Sequence, residues 1–190
     1  MKKNSVFTTK KIVLAALLSA LTVVGSALRI TLPLEIAGTT SFHLGNIMCA
    51  LSGILLGPWL GGLAAGLGSA IYDMMNPLYI SEAWITFLMK AAYGLVTGLI
   101  VRGTTQHPFT FRRCVIGTAA GALTYAGLYL AKSYFYSGLF LNGLTPDAAM
   151  VTLIGKLPAT TFNAVIAVIC APMLAIAIDK ALKRSHLSID

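Results

Sequence analysis

Long apolar runs broken by short polar stretches divide the chain into six segments. Their spacing predicts helices at about 8–28, 42–56, 59–75, 83–101, 114–136 and 147–182. Runs of this length with so little charge read as membrane helices rather than the core of a soluble domain. A loop over 29–41 holds Pro33, Glu35 and Gly38, and the second helix ends at Gly57-Pro58. The third is glycine-rich, with Gly61, Gly62, Gly66 and Gly68, and Asn76-Pro77 and Glu82 follow it. Arg102, His107, Arg112 and Arg113 make a basic loop, and Gly138, Asn142, Gly143 and Pro146 lie before the sixth helix, which Pro158 and Pro172 interrupt. The second and third segments fall short of the roughly 20 residues that cross a bilayer. They can be a re-entrant pair; either way the chain returns to the same side.

Composition narrows this to one all-α integral membrane domain over 1–190. Of the 190 residues, 57% are hydrophobic and 11% charged, against about 25% charged in ordinary soluble domains. The net charge of +8 raises nucleic acid as a partner, but the placement of the charges answers it. With the N-terminus inside, the inner segments carry Lys2, Lys3, Lys10, Lys11, Arg102, Arg112, Arg113, Lys180, Lys183 and Arg184, ten of the fourteen basic residues. The outer loops carry Glu35, Asp73, Glu82 and Asp147, with Arg29 at their margin. That bias is the positive-inside rule and places both termini in the cytoplasm. The lysines before the first run mimic a signal peptide, but no clear small-residue cleavage site closes that run, so it reads as a retained helix. Cys49, Cys114 and Cys170 lie in apolar stretches without a CxxC pair, which predicts small buried side chains rather than disulfides or metal ligands.

Three lysines are out of place in this pattern. Lys90, Lys132 and Lys156 each sit in an apolar helix. Lys156 lies roughly 13 Å below the outer end of the sixth helix, and Lys90 roughly 10 Å below that of the fourth, at the helical rise per residue. An ionisable group at that depth faces water, a partner or a ligand, or else snorkels to the headgroups. Their neighbours favour a cavity: Thr152, Lys156, Thr160 and Asn163 share one face of the sixth helix, where Pro158 frees a backbone carbonyl. Tyr125, Tyr129, Lys132 and Tyr136 share a face of the fifth, either as a packing stripe or as a surface on which a planar ligand stacks. Tyr79, Glu82 and Trp84 crowd the outer mouth of the fourth helix, and His43 and Asn46 that of the second. Together they predict a site open to the outside and roofed by the first loop.

Small residues recur four apart at Ala16 and Ala20, beside Ala15 and Ser19, and at Gly62 and Gly66, a spacing that lets helices approach closely in lipid. Catalytic and metal signatures are missing: there is no HExxH, no Walker lysine loop and no acid cluster for a metal or a proton relay. Gly66-Leu67-Gly68-Ser69 lacks a histidine in an apolar helix to activate a nucleophile. No catalytic residue, metal or cofactor is expected.

Phe42-His43-Leu44-Gly45-Asn46, then Leu55-Leu56-Gly57-Pro58-Trp59-Leu60-Gly61-Gly62, then Gly66-Leu67-Gly68-Ser69-Ala70-Ile71-Tyr72-Asp73 resemble the substrate-binding S components of energy-coupling factor (ECF) transporters, closest to the riboflavin-type group. Lys156-Leu157-Pro158-Ala159-Thr160 with Phe162-Asn163 is similar to the same group. The resemblance implies six helices in a prokaryotic plasma membrane and a vitamin or vitamin precursor bound near the outer face. It implies a transmembrane coupling subunit and two cytoplasmic ATPases as partners, which alone use ATP, and a toppling of the loaded subunit in the membrane. Ala16 and Ala20, with Ala15 and Ser19 as a shifted pair, match the small residues through which the family contacts its coupling subunit. A complete riboflavin site is not matched. Lys90 and Lys156 suit an acceptor-rich or an anionic ligand, and cobalamin, pyridoxine-like vitamins, thiamine-precursor pyrimidines and riboflavin all stay open. A self-sufficient secondary transporter or facilitator is the alternative; an intramembrane enzyme has no readable constellation behind it.

Overall fold

A computed structural model describes residues 8–33, 39–103 and 110–185. Lys2, Lys3, Glu35, Gly38, His107 and His186 lie outside the described residues. The order is α1 (Thr9–Ala27), β1 (Arg29–Pro33), β2 (Thr39–His43), α2 (Gly45–Leu56), α3 (Pro58–Met74), a 3-10 turn (Ile80–Glu82), α4 (Ala83–Arg102), α5 (Phe111–Ala131), a π-helical segment (Lys132–Leu141) and α6 (Pro146–Arg184). The protein is thus overwhelmingly helical, as expected. Four of its helical stretches are long and apolar enough to cross a membrane: Thr9–Ala27, Ile80–Arg102, Phe111–Leu141 and Pro146–Arg184.

Caps explain the helix starts. Thr8, Thr110 and Thr145 each accept a hydrogen bond from the third backbone N–H beyond them, with Pro146 and Asp147 in the first turn of α6. The fifth helix therefore begins three residues before the predicted 114. Its end also differs: from Lys132 the winding loosens into a π-helix that runs to Leu141, past the predicted 136.

Two further expectations are corrected. The stretch taken as a loop over 29–41 contains an antiparallel hairpin, with Arg29 paired to His43 and Pro33 to Thr39, so the second helix starts at Gly45, not 42. The alternation in this segment is short and Pro33 sits at its tip, a place where a strand tolerates proline. The sixth helix is continuous through both prolines over 39 residues, about 58 Å at the helical rise. Pro158 faces outward, away from the polar residues of its own helix, so it does not open the interior.

The core forms around the short α2, in which eleven of twelve residues are buried. α3 and α4 pack on it through glycines. A Cβ on Gly98 would land 2.5 Å from the nitrogen of Pro58, so α4 crosses directly over the turn between α2 and α3. There Gly57 adopts a φ of 79°, which only glycine takes readily. Arg102, read from sequence as a loop cation, is 2% exposed and donates through Nε to the Ile54 carbonyl at 2.8 Å. It satisfies one of the carbonyls left open at the C-terminal end of α2.

α1 presents two different faces. Ser19 packs inward, its hydroxyl within reach of the Ala15 carbonyl at 2.9 Å and the Ala64 carbonyl of α3 at 3.1 Å. Ala16 and Ala20 are exposed, among exposed Ile12, Val13, Leu17 and Val24.

Candidate functional site

One pole of the bundle holds a cavity of about 270 Å³. Its walls come from the C-terminal ends of α1 and α3, β2, the N-terminal ends of α2, α4 and α6, and the far end of α5 with the π segment. The helices therefore line the cavity with their halves on the same side, α6 reaching as far as Asn163 near its middle. Lys10, Arg112, Arg113, Lys180, Lys183 and Arg184 belong to the opposite ends of their helices.

Lys90 and Lys156 approach this cavity from α4 and α6, and both are buried, at 4% and 7% exposure. Lys90 Nζ donates to Asn46 Oδ1 and stands 3.8 Å from the centroid of the Tyr125 ring. Lys156 Nζ donates to Ser133 Oγ at 3.3 Å and lies 5.7 Å from the Tyr129 centroid. An ammonium over an aromatic face is attracted by the ring quadrupole. Tyr93, Tyr125 and Tyr129 are stacked in series, with centroids 5.9 Å apart at each step. The wall is thus a ladder of rings with a lysine against two of its rungs.

Lys132 is paired with Glu82, which also accepts from Ser137 Oγ at 2.7 Å. This three-way contact ties the turn before α4 to the π segment at the mouth. Thr160 lines the cavity while its hydroxyl donates back to the Lys156 carbonyl at 2.8 Å. Asn163 also lines it, but both ends of its amide are engaged by β2: Oδ1 accepts from the His43 N–H at 3.0 Å and Nδ2 donates to the Ser41 carbonyl at 2.8 Å. Asn163 therefore clamps the hairpin onto α6. Phe42 adds an edge-on ring contact with Phe162, centroids 5.0 Å apart.

His43 closes the hairpin against α2, with Nδ1 accepting from the Gly45 N–H at 3.2 Å. Burial, then the charge of Lys90 and that of Arg29, hold its imidazole well below the ordinary value of 6.5. Burial and nearby positive charge both disfavour the protonated ring.

The sequence placed Trp84 with this group. It lies outside the cavity, 58% exposed, with its ring edge-on to Tyr136 at 6.1 Å. Tyr136 leaves the predicted stripe because of the π segment. A wider turn advances the inward face by four or five residues, so Ser133, Ser137, Gly138, Leu141 and Asn142 line the wall instead.

Arg29 and Asp73 also line the cavity, though sequence counted them only as loop charges. Arg29 donates to the Ser26 carbonyl at 2.8 Å and lies 4.2 Å and 5.0 Å from the ring centroids of Tyr72 and Tyr79. The signal for it was present: Arg29 is one arginine in the loops that the charge count assigns to the outside, against the bias that orders the others.

Among the described residues no group of acids, histidines and cysteines is arranged to hold a metal. Cations, hydroxyls and ring faces converge on one volume, an arrangement suited to holding a polar ligand.

Residues 6–180 match the model of a family described as ECF-type riboflavin transporter, S component. The chain belongs to that family. It is an S component, a membrane protein that binds substrate for transport. Two relatives are 33% identical to it. One is a Pyrococcus woesei protein described as "Uncharacterized protein in gap 3'region", matched over 63% of this chain and 74% of that protein. The other is a UPF0397 protein of Streptococcus gordonii, matched over 53% of this chain and 52% of that protein. This S component thus spans about half the length of the streptococcal relative.

Proposed function

We propose that this S component captures a small vitamin or vitamin precursor in the cavity at the outer membrane face. It delivers the molecule to the cytoplasm with a transmembrane coupling subunit and two ATPases, which carry out all ATP hydrolysis. The observation that carries the reading is the cavity itself, a polar, cation-lined volume inside a membrane protein. A buried charge in such a protein is costly and marks a substrate pathway. The lining lies at the pole away from the basic helix ends, which supports an outward-facing site with both termini cytoplasmic.

In this account Lys90, Lys156, Tyr125 and Tyr129 contact the ligand, with Asn46, Thr160 and Lys132 beside them. Asn163 and His43 hold the roof. The exposed Ala16 and Ala20 face the coupling subunit, while the shifted pair Ala15 and Ser19 packs within the bundle. A volume of about 270 Å³ falls just under that of ligand sites for drug-sized molecules, about 300–1,000 Å³. That size favours a pyridoxine-like or pyrimidine ligand over riboflavin and cobalamin.

The test is native mass spectrometry of the protein purified in detergent. One small molecule bound per chain, displaced when Lys90 and Lys156 are both replaced by methionine, supports capture at this site. A bound molecule that survives the double replacement places capture elsewhere.

A further inference from the structure

The charges around the cavity do not balance. Arg29, Lys90, Lys132 and Lys156 line it against two carboxylates, Asp73 and Glu82. Glu82 is already engaged by Lys132 and Ser137, and Asp73 hydrogen-bonds Thr86. Among the described residues neither Lys90 nor Lys156 forms a salt bridge; their polar contacts are Asn46 and Ser133, one neutral oxygen each. An ammonium has three donors, so each retains donors beyond its single bond. Each ammonium also lies over a ring face, which attracts a cation but does not replace a counter-charge. Asp73 and Glu82 act on these two lysines only from a distance, with no carboxylate in direct contact, and the penalty for burying a charge is offset well only by an opposite charge in good geometry.

Resting on the capture reading, we propose that the ligand is an oxyanion: a small, flat molecule whose carboxylate or phosphate group is held jointly by Lys90 and Lys156. The tyrosine ladder receives its ring. The bound anion completes the electrostatics of the site, so affinity and selectivity follow the charge of the ligand more than its ring substituents.

The experiment uses the full chain in detergent and yeast extract split on an anion exchanger. The probes are the retained fraction and the flow-through, each dialysed to the same ionic strength, and the readout is thermal stabilisation. Stabilisation by the retained fraction alone is expected. Stabilisation by the flow-through, equal or greater, overturns the inference while leaving capture intact. Stabilisation by neither fraction overturns the capture reading, and the inference with it. Phosphatase treatment of the retained fraction separates the two sources: lost stabilisation identifies a phosphate ester, and retained stabilisation a carboxylate.

Lys90→Met and Lys156→Met supply the second arm. Each is expected to weaken binding of the retained fraction about 10- to 100-fold, the worth of one charge-assisted hydrogen bond. Each is also expected to leave the ligand-free protein as stable as the wild type or more so, because an unmatched buried charge is removed. A variant with lowered ligand-free stability and unchanged binding would assign the lysine to structure and overturn the proposal.

Discussion

Replacing Asn163 by leucine separates a role in holding the roof from a role in touching ligand. Asn163 makes two hydrogen bonds to β2, at 3.0 Å to His43 and 2.8 Å to Ser41. Leucine has nearly the same size but makes neither, so little is lost in packing. Each missing bond contributes about 1 kcal/mol, and more where the abandoned N–H or carbonyl stays shielded from water. The hairpin is then held to α6 by about 2–4 kcal/mol less. Local opening falls by the same free energy, so hydrogen exchange in this segment accelerates about 30- to 1,000-fold. Exchange measured by mass spectrometry on a peptide spanning 39–44 reads this directly, with the α2 peptide as internal reference. Unchanged exchange in the hairpin, together with lost ligand binding, would refute the clamp and return Asn163 to the ligand.

Three further outcomes follow from the packing and charge. Gly98→Ala forces a methyl into the α2–α3 turn and should cost about 1–3 kcal/mol or more, seen as early unfolding in a thermal melt; Gly127→Ala, with nothing within 4 Å of its Cβ, should be neutral or gain up to about 1 kcal/mol. His43, held neutral below the ordinary 6.5, makes folding sensitive to acid. The unfolded chain takes up a proton as pH falls through that value and the folded chain does not, so stability present above it drops below it. His43→Asn, which keeps an acceptor for Gly45, should flatten the fall in melting temperature on going from neutral to mildly acid buffer. Ala16→Trp should leave ligand binding intact and abolish co-purification with the coupling subunit; lost binding would instead bring the Ala16 face of α1 into the site.

The membrane character was legible because it is a property of sums. Apolar runs and loop charges accumulate over many residues and tolerate local error. The lysines were legible for the opposite reason, since one ammonium in an apolar helix stands out alone. What stayed hidden depended on local backbone geometry. The π segment carries no sequence mark that distinguishes it from an α-helix, so helical spacing puts Tyr136 on the stripe with Tyr125 and Tyr129, where the wider turn brings Ser133 and Ser137 instead. The hairpin was hidden by its length, five residues per strand. The engagement of Asn163 by the hairpin is a contact across 120 residues, which helical spacing cannot reveal. Pro158 misled because proline in a helix is informative only once its face is known.

Uptake tests delivery by this S component most directly. The molecule released from the purified protein, prepared with an isotopic label, would be offered to cells making this chain with the coupling subunit and ATPases, and to cells making it alone. Accumulation against a gradient is expected only when the partners are present, and no more than stoichiometric binding without them. Full accumulation in cells lacking the coupling subunit would contradict delivery through these partners.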